Sequence, residues 1–281
     1  FCLDARTGHQ LFRCSLQKRF AGRLPTWGYA ASPLVIGRTV IVQPGGLNGR
    51  SVVALDARDG RSLWQSLSDK AAYATPLVID VAGHPLLVIW TPSHVRGLDP
   101  ATGKSLWAIP YKVTMGVAIA SPAISGNLLL VSGYWEGTRA IRLSPDGRTA
   151  RLAWSENRFL RGFMSQPLLK AGHAYMLDKQ YGVSCFELAT GRKLWDDKNQ
   201  TTPRNRNPQV SLVWLEGTNR ALALNDQGEL VLLELAPSGR RELARNRIVG
   251  PTWSHPAFAG TAVYARSDTE LVRVELPIAA D

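Results

Sequence analysis

The sequence predicts an all-β protein of four-stranded antiparallel blades, a β-propeller, and three observations predict it. One ten-residue segment is written several times. It reads Leu55-Asp56-Ala57-Arg58-Asp59-Gly60-Arg61-Ser62-Leu63-Trp64 and again Leu98-Asp99-Pro100-Ala101-Thr102-Gly103-Lys104-Ser105-Leu106-Trp107. Further copies run from Leu3 to Phe12 and from Phe186 to Trp195. A proline keeps the same beat: Pro33, Pro76, Pro122, Pro167 and Pro256 are spaced by 43, 46, 45 and then 89 residues. The lost marker falls near Ser211, before Leu212-Val213-Trp214. Thirdly, each proline opens a short β-branched run broken by a turn, such as Leu34 to Val42 around Gly37. A unit of about 45 residues suits one propeller blade or one helical repeat. Short apolar runs bounded by Gly, Asn and Pro choose the blade, since no sustained helical period appears.

Taken in order, each unit gives four strands: the run after the proline, a Val-rich run, a Leu-Asp run and a Leu-Trp run. The Asp-x-x-x-Gly segments between the last two are hairpin turns, with glycine at the positive-φ position. Six units are expected at 31–69, 73–112, 119–158, 164–199, 209–246 and 254–279, after the last two strands of another at 1–16. A single blade cannot cover both of its faces, so blades stack. The closing Trp64, Trp107, Trp154 and Trp195 are read as packing between blades, and Gly8, Gly60, Gly103 and Gly191 as turn residues. Cys2 and Cys185 stand six residues before the turn glycine, where the other copies have Ala54 and Gly97. That position wants a small buried residue.

The repeated Leu-Asp-Ala-x-Thr-Gly-x-x-Leu-Trp segment, with Ser-Pro-Leu-Val one strand later, resembles the pyrroloquinoline-quinone (PQQ)-type β-propeller repeat. That superfamily holds quinoprotein alcohol dehydrogenases and the lipoprotein of the bacterial outer-membrane β-barrel assembly machine. The resemblance covers Cys2 to about Leu276. It implies a ring of about eight blades and a location outside the cytoplasm. Because the chain starts within a repeat at Phe1, it reads as one propeller domain, 1–281, lacking about one and a half blades and any leader. The WD-type propeller fits less well, since only Trp195-Asp196 shows its dipeptide.

Composition supports one sizeable core: 45% of residues are hydrophobic and 20% charged. No run of eighteen apolar residues occurs. Lys+Arg 33 against Asp+Glu 22 gives a formal net charge of +11. An anionic partner would need a concentrated patch. The densest groups, Arg240-Arg241 with Arg245 and Arg247, and Arg204 with Arg206, are short, so the expectation is a solvated edge and no nucleic acid. The expected partner is a protein, and the chain is expected to be a monomer. The spacing of Cys2, Cys14 and Cys185 matches no zinc pattern. A Cys2–Cys14 bridge across one hairpin stays open.

No nucleophile elbow, metalloprotease motif or phosphate loop is present. Quinoprotein dehydrogenases carry adjacent cysteines beside PQQ and a Ca²⁺ held by acidic and amide ligands; no adjacent pair occurs here. Catalytic and metal-ligating residues are therefore not assigned. A binding site is placed instead where the residue before each proline approaches the channel: Ser32, Thr75, Ser121, Gln166 and His255. The loops leading there add Trp27, Tyr29, Tyr73, Arg161, Phe163, Arg206 and Trp253. Convergent polar and aromatic groups at a concave mouth are a default site. The expected function is a non-catalytic binding or assembly scaffold. The alternatives are a quinoprotein-like oxidoreductase using PQQ and Ca²⁺ and, more weakly, a lyase or hydrolase at the channel mouth.

Overall fold

The recurring segment folds the same way each time. In the computed structural model, which describes residues 1–162 and 164–277, the glycine N–H returns to the carbonyl of the acidic residue four before it. Gly8 to Asp4, Gly60 to Asp56, Gly103 to Asp99 and Gly191 to Glu187 are each 2.8 Å. The four glycines have φ of 72° to 76°, a region open to residues without a Cβ. The acidic side chain then caps the turn, as Asp4 Oδ1 does by accepting from the backbone N–H of Arg6 and Thr7.

The chain divides into two compact units, Phe1–Ser155 and Glu156–Asp281. The first begins with a hairpin, β1 (Cys2–Leu3) and β2 (Gln10–Phe12), and a helix α1 (Leu16–Phe20). Three four-stranded sheets follow in chain order. They are β3 to β6 (Leu34–Ile36, Thr39–Val42, Val52–Asp56, Ser62–Ser66), then β7 to β10 (Leu77–Val81, His84–Trp90, His94–Leu98, Ser105–Pro110). The third is β11 to β14 (Ala123–Ser125, Leu128–Gly133, Gly137–Leu143, Ala150–Glu156). The second unit holds β15 to β18 (Leu168–Lys170, His173–Asp178, Gly182–Glu187, Lys193–Asp196) and β19 to β22 (Val210–Trp214, Arg220–Asn225, Glu229–Ala236, Gly239–Arg247). A three-stranded sheet ends it: β23 to β25 (Ala257–Ala259, Ala262–Arg266, Leu271–Glu275). In every sheet, strands adjacent in sequence are adjacent in space. The last expected unit, 254–279, runs past the described residues.

Strand β5 is buried on both faces, and its alternation feeds two layers. On β5, Val52 and Ala54 pack with Leu87, Ile89 and Leu98 of the next sheet, while Val53 and Leu55 pack under Phe20 of α1. Burying each large aliphatic chain contributes about 1.5–3 kcal/mol. The following layer sets Leu86, Val88, Trp90 and Trp107 against Leu129, Val131, Ile141 and Leu143. In the second unit Leu222, Leu224 and Leu230 pack on Val263 and Ala265.

The closing tryptophans reach from one sheet to the next. Nε1 of Trp64 donates to the Pro100 carbonyl at 3.0 Å, that of Trp107 to Gly147 at 3.0 Å, and that of Trp195 to Ala236 at 2.9 Å. Trp154 stands on β14. Within each sheet the small residue lies directly across the strand pair from the closing aromatic: Cys2 from Phe12, Ala54 from Trp64, Gly97 from Trp107 and Cys185 from Trp195. A Cβ added at Gly97 would lie 2.2 Å from the Trp107 ring, which is why the position stays small. Cys2, Cys14 and Cys185 are all free thiols, so the bridge left open by the sequence is not made.

The helix α1 is an element the sequence did not announce. Five residues are too few to display a helical period. It is held by Ser15, whose hydroxyl accepts from Lys18 N–H, and by a left-handed cap at Ala21.

Candidate functional site

The residue before each recurring proline stands two positions ahead of the first strand of its sheet. In the first unit these positions touch each other one repeat apart: the Ser32 N–H donates to Thr75 Oγ1 at 3.1 Å. In the second unit His255 Nδ1 lies 2.7 Å from Oγ of Ser211, the second residue of β19. Ser32, Gln166 and His255 are exposed, and Thr75 and Ser121 half-buried. Each unit therefore presents its own row of small polar groups.

The entering loops are aromatic. Trp27 is 59% exposed and leans on Tyr73, ring centroids 5.8 Å apart. Tyr73 is buried; its hydroxyl accepts from the Trp27 N–H and its own N–H donates to the Ala118 carbonyl. Tyr29 donates to the Pro44 carbonyl at 2.9 Å. These two tyrosines hold the loop through their hydroxyls, and Trp27 is the more exposed ring. In the second unit Trp253 is 60% exposed. Arg161 is half-buried, its N–H donating to Asp178 Oδ2 at 2.8 Å and its Nε buried without a hydrogen-bond partner. Burial pushes the Asp178 carboxyl up, against the pull of the Gln180, Arg161 and Tyr181 backbone donors. Arg206 is exposed, and Phe163 lies outside the described residues.

One polar network at the same end of the first unit had no motif to reveal it. Ser93 Oγ donates to Asp69 Oδ1, His94 Nδ1 lies 2.9 Å from Ser93 Oγ, and Arg96 Nε donates to Asp69 Oδ2 at 2.9 Å. The residue types are those of a hydrolase triad, but the wiring is not. A relay needs the imidazole between hydroxyl and carboxylate, one on each ring nitrogen. Here Asp69 takes the serine hydroxyl directly, and both lie on the Nδ1 side.

The densest basic patch is largely paired. Arg245 meets Glu229 and Glu242, Arg241 meets Glu234, and Arg240 lies 3.8 Å from Asp197. A cleft of about 290 Å³ lies at the other end of the first unit, lined by His84, Leu86, Lys104, Asp146 and Arg148 among others. It belongs to the turns between strands, away from the polar row.

A family model, PQQ_2, Outer membrane protein assembly factor BamB, matches residues 1–197. The chain belongs to this family. Its fold is a β-propeller, and solved structures agree. BamB from Moraxella catarrhalis superposes with a TM-score of 0.68 at 20% identity, over 99% of this chain and 76% of that one. Quinohemoprotein alcohol dehydrogenase from Comamonas testosteroni gives 0.56 at 12% identity, over 84% and 51%. A chain of the mitotic checkpoint complex gives 0.57 at 12%, over 86% and 75%. At these identities the likeness is one of fold alone. No curated protein matches the chain.

The family name raises PQQ, which relatives among the dehydrogenases hold with Ca²⁺. No group of three or more His, Cys, Asp or Glu that could hold a metal ion occurs among the described residues. Cys185 is fully buried beside Tyr175, with no second cysteine next to it.

Proposed function

We propose that the chain is a non-catalytic scaffold, working outside the cytoplasm in the assembly of outer-membrane proteins. The observation that carries this reading is the match to the BamB family over residues 1–197. The site geometry supports it. Small polar groups lie beside an outward-facing Trp27 in one unit and beside Trp253 in the other. Exposed tryptophans rimmed by polar groups suit a protein partner, since Trp and Arg dominate interface energetics. No helix among the described residues is long and apolar enough to cross a membrane.

The test is affinity capture of solubilised envelope proteins on the folded chain, with the captured proteins identified. The reading expects components of the outer-membrane assembly machinery, lost on the double substitution Arg161→Gln and Trp253→Ala. Capture of the same components by the double variant would remove this site from the interface; capture of none by the wild type would overturn the scaffold reading. Titration with PQQ and Ca²⁺ discriminates the oxidoreductase alternative: a stoichiometric bound chromophore would establish it.

A further inference from the structure

One turn of the repeat carries more cation than its own structure uses. Asp56, with its side chain 6% exposed, is the acidic residue of the turn between β5 and β6. Three arginines converge on its Oδ2: Arg58 Nη2 at 2.8 Å, and Arg38 and Arg61 Nη2 each at 3.7 Å. Arg58 alone satisfies the carboxylate, donating from Nε to Oδ1 at 3.1 Å and from Nη2 to Oδ2, with its backbone N–H also on Oδ1. That is the bidentate arrangement that completes an Arg–carboxylate pair.

Two copies of the turn do without an arginine at the acid, whereas in a third Arg192, at the position of Arg61, pairs with Glu187 beside Thr190. Asp4 and Asp99 are satisfied by the hydroxyls of Thr7 and Thr102, with no arginine at the carboxylate. In this copy the threonine position holds Asp59, which cannot donate, and Arg58 takes over the task. Arg38 and Arg61 stand beyond hydrogen-bond distance of Asp56, each side chain 63% exposed. Arg61 Nε is 3.8 Å from Asp59, an exposed pair that solvent screens and that contributes little. Next to them Arg19 donates to the Gly60 carbonyl at 2.6 Å and to Ser62 Oγ at 3.2 Å. The turn thus gathers four guanidiniums against two carboxylates, on a chain of formal net charge +11.

We propose that Arg38 and Arg61 form a binding site for a phosphate oxyanion, free or carried on a lipid headgroup. Both Nη2 atoms approach the same oxygen of Asp56, so one tetrahedral anion can bridge them from the solvent side. Planar guanidinium forks match phosphate oxygens in pairs, and a buried carboxylate behind them keeps both forks aimed at one point. The site is separate from the polar rows and stands whether or not the scaffold reading does.

The experiment measures thermal stabilisation by inorganic phosphate, at ionic strength matched with sodium chloride, and co-sedimentation with vesicles of phosphatidylglycerol or phosphatidylcholine. The variant is Arg38→Gln with Arg61→Gln, which leaves the Arg58–Asp56 pair intact. The control, Lys104→Gln with Arg148→Gln, removes the same charge from turns of the neighbouring sheets. Saturable binding should weaken about tenfold or more in the variant and stay within about twofold in the control. Binding of phosphate in solution identifies a free-anion site; binding only to phosphatidylglycerol vesicles identifies a headgroup site. Absence of both, or equal loss in variant and control, overturns the proposal. A native melting profile for the variant shows that a loss is not unfolding.

Discussion

Gly103 meets two constraints at once. Its φ is +73°, and a Cβ there would lie 2.4 Å from the Trp64 ring. Gly8 has the same conformation, φ +72°, with nothing within 4 Å of the added carbon. The pair separates backbone strain from packing. Gly8→Ala should cost about 1–2 kcal/mol, the left-handed penalty alone. Gly103→Ala should cost about 1–3 kcal/mol more for overpacking. Urea denaturation of both variants checks this; equal losses would mean the tryptophan yields freely. Cys185 makes a second residue-scale prediction. Burial pushes its thiol up to about 11, and it is fully enclosed across from Trp195. A thiol reagent at neutral pH should label Cys2 and Cys14 in the folded protein and reach Cys185 only on unfolding. The need for a small residue at this position was legible in the sequence by aligning the copies. Its cause, an aromatic ring directly across the strand pair, was not, because it depends on register.

Strand β22 shows how an element can hide its purpose. Its sequence, Gly239–Arg247, reads as a basic stretch. Folded, its arginines answer acids on β21 and on β22 itself. The Asn225 amide and then Arg245 hold the Glu229 carboxyl below its ordinary 4.5, and Arg245 does the same for Glu242. A carboxylate with a lowered folded pKa adds stability above its unfolded value, and that stability is lost as pH falls through the folded one. The second unit should therefore loosen as pH drops below about 4.5. Arg245→Gln should flatten that acid limb, and an unchanged acid profile would show the network to be idle. The strands themselves were legible because their hydrophobic runs are short and punctuated. Helix α1 was not, and neither was the register shift between the last two strands of a sheet, seen at Ala54/Leu55 and Cys185/Phe186. Such bulges insert a residue without leaving a compositional mark.

At the scale of the whole molecule, the repeat carried the family and fold, since stacking copies of one segment can bury their faces in few ways. The site was legible only in outline. Copy-to-copy alignment found the row containing Ser32 and Thr75, yet it missed Asp69, Ser93, His94 and Arg96. Those four come from a loop and the next hairpin, so their meeting is a property of the fold rather than of spacing. The proposed role is a scaffold's, in the assembly of outer-membrane proteins. Deleting the gene in its host and quantifying β-barrel proteins in the outer membrane tests it most directly. The account predicts a fall that the intact protein restores and the Arg161→Gln, Trp253→Ala double variant does not; unchanged β-barrel levels after deletion would contradict it.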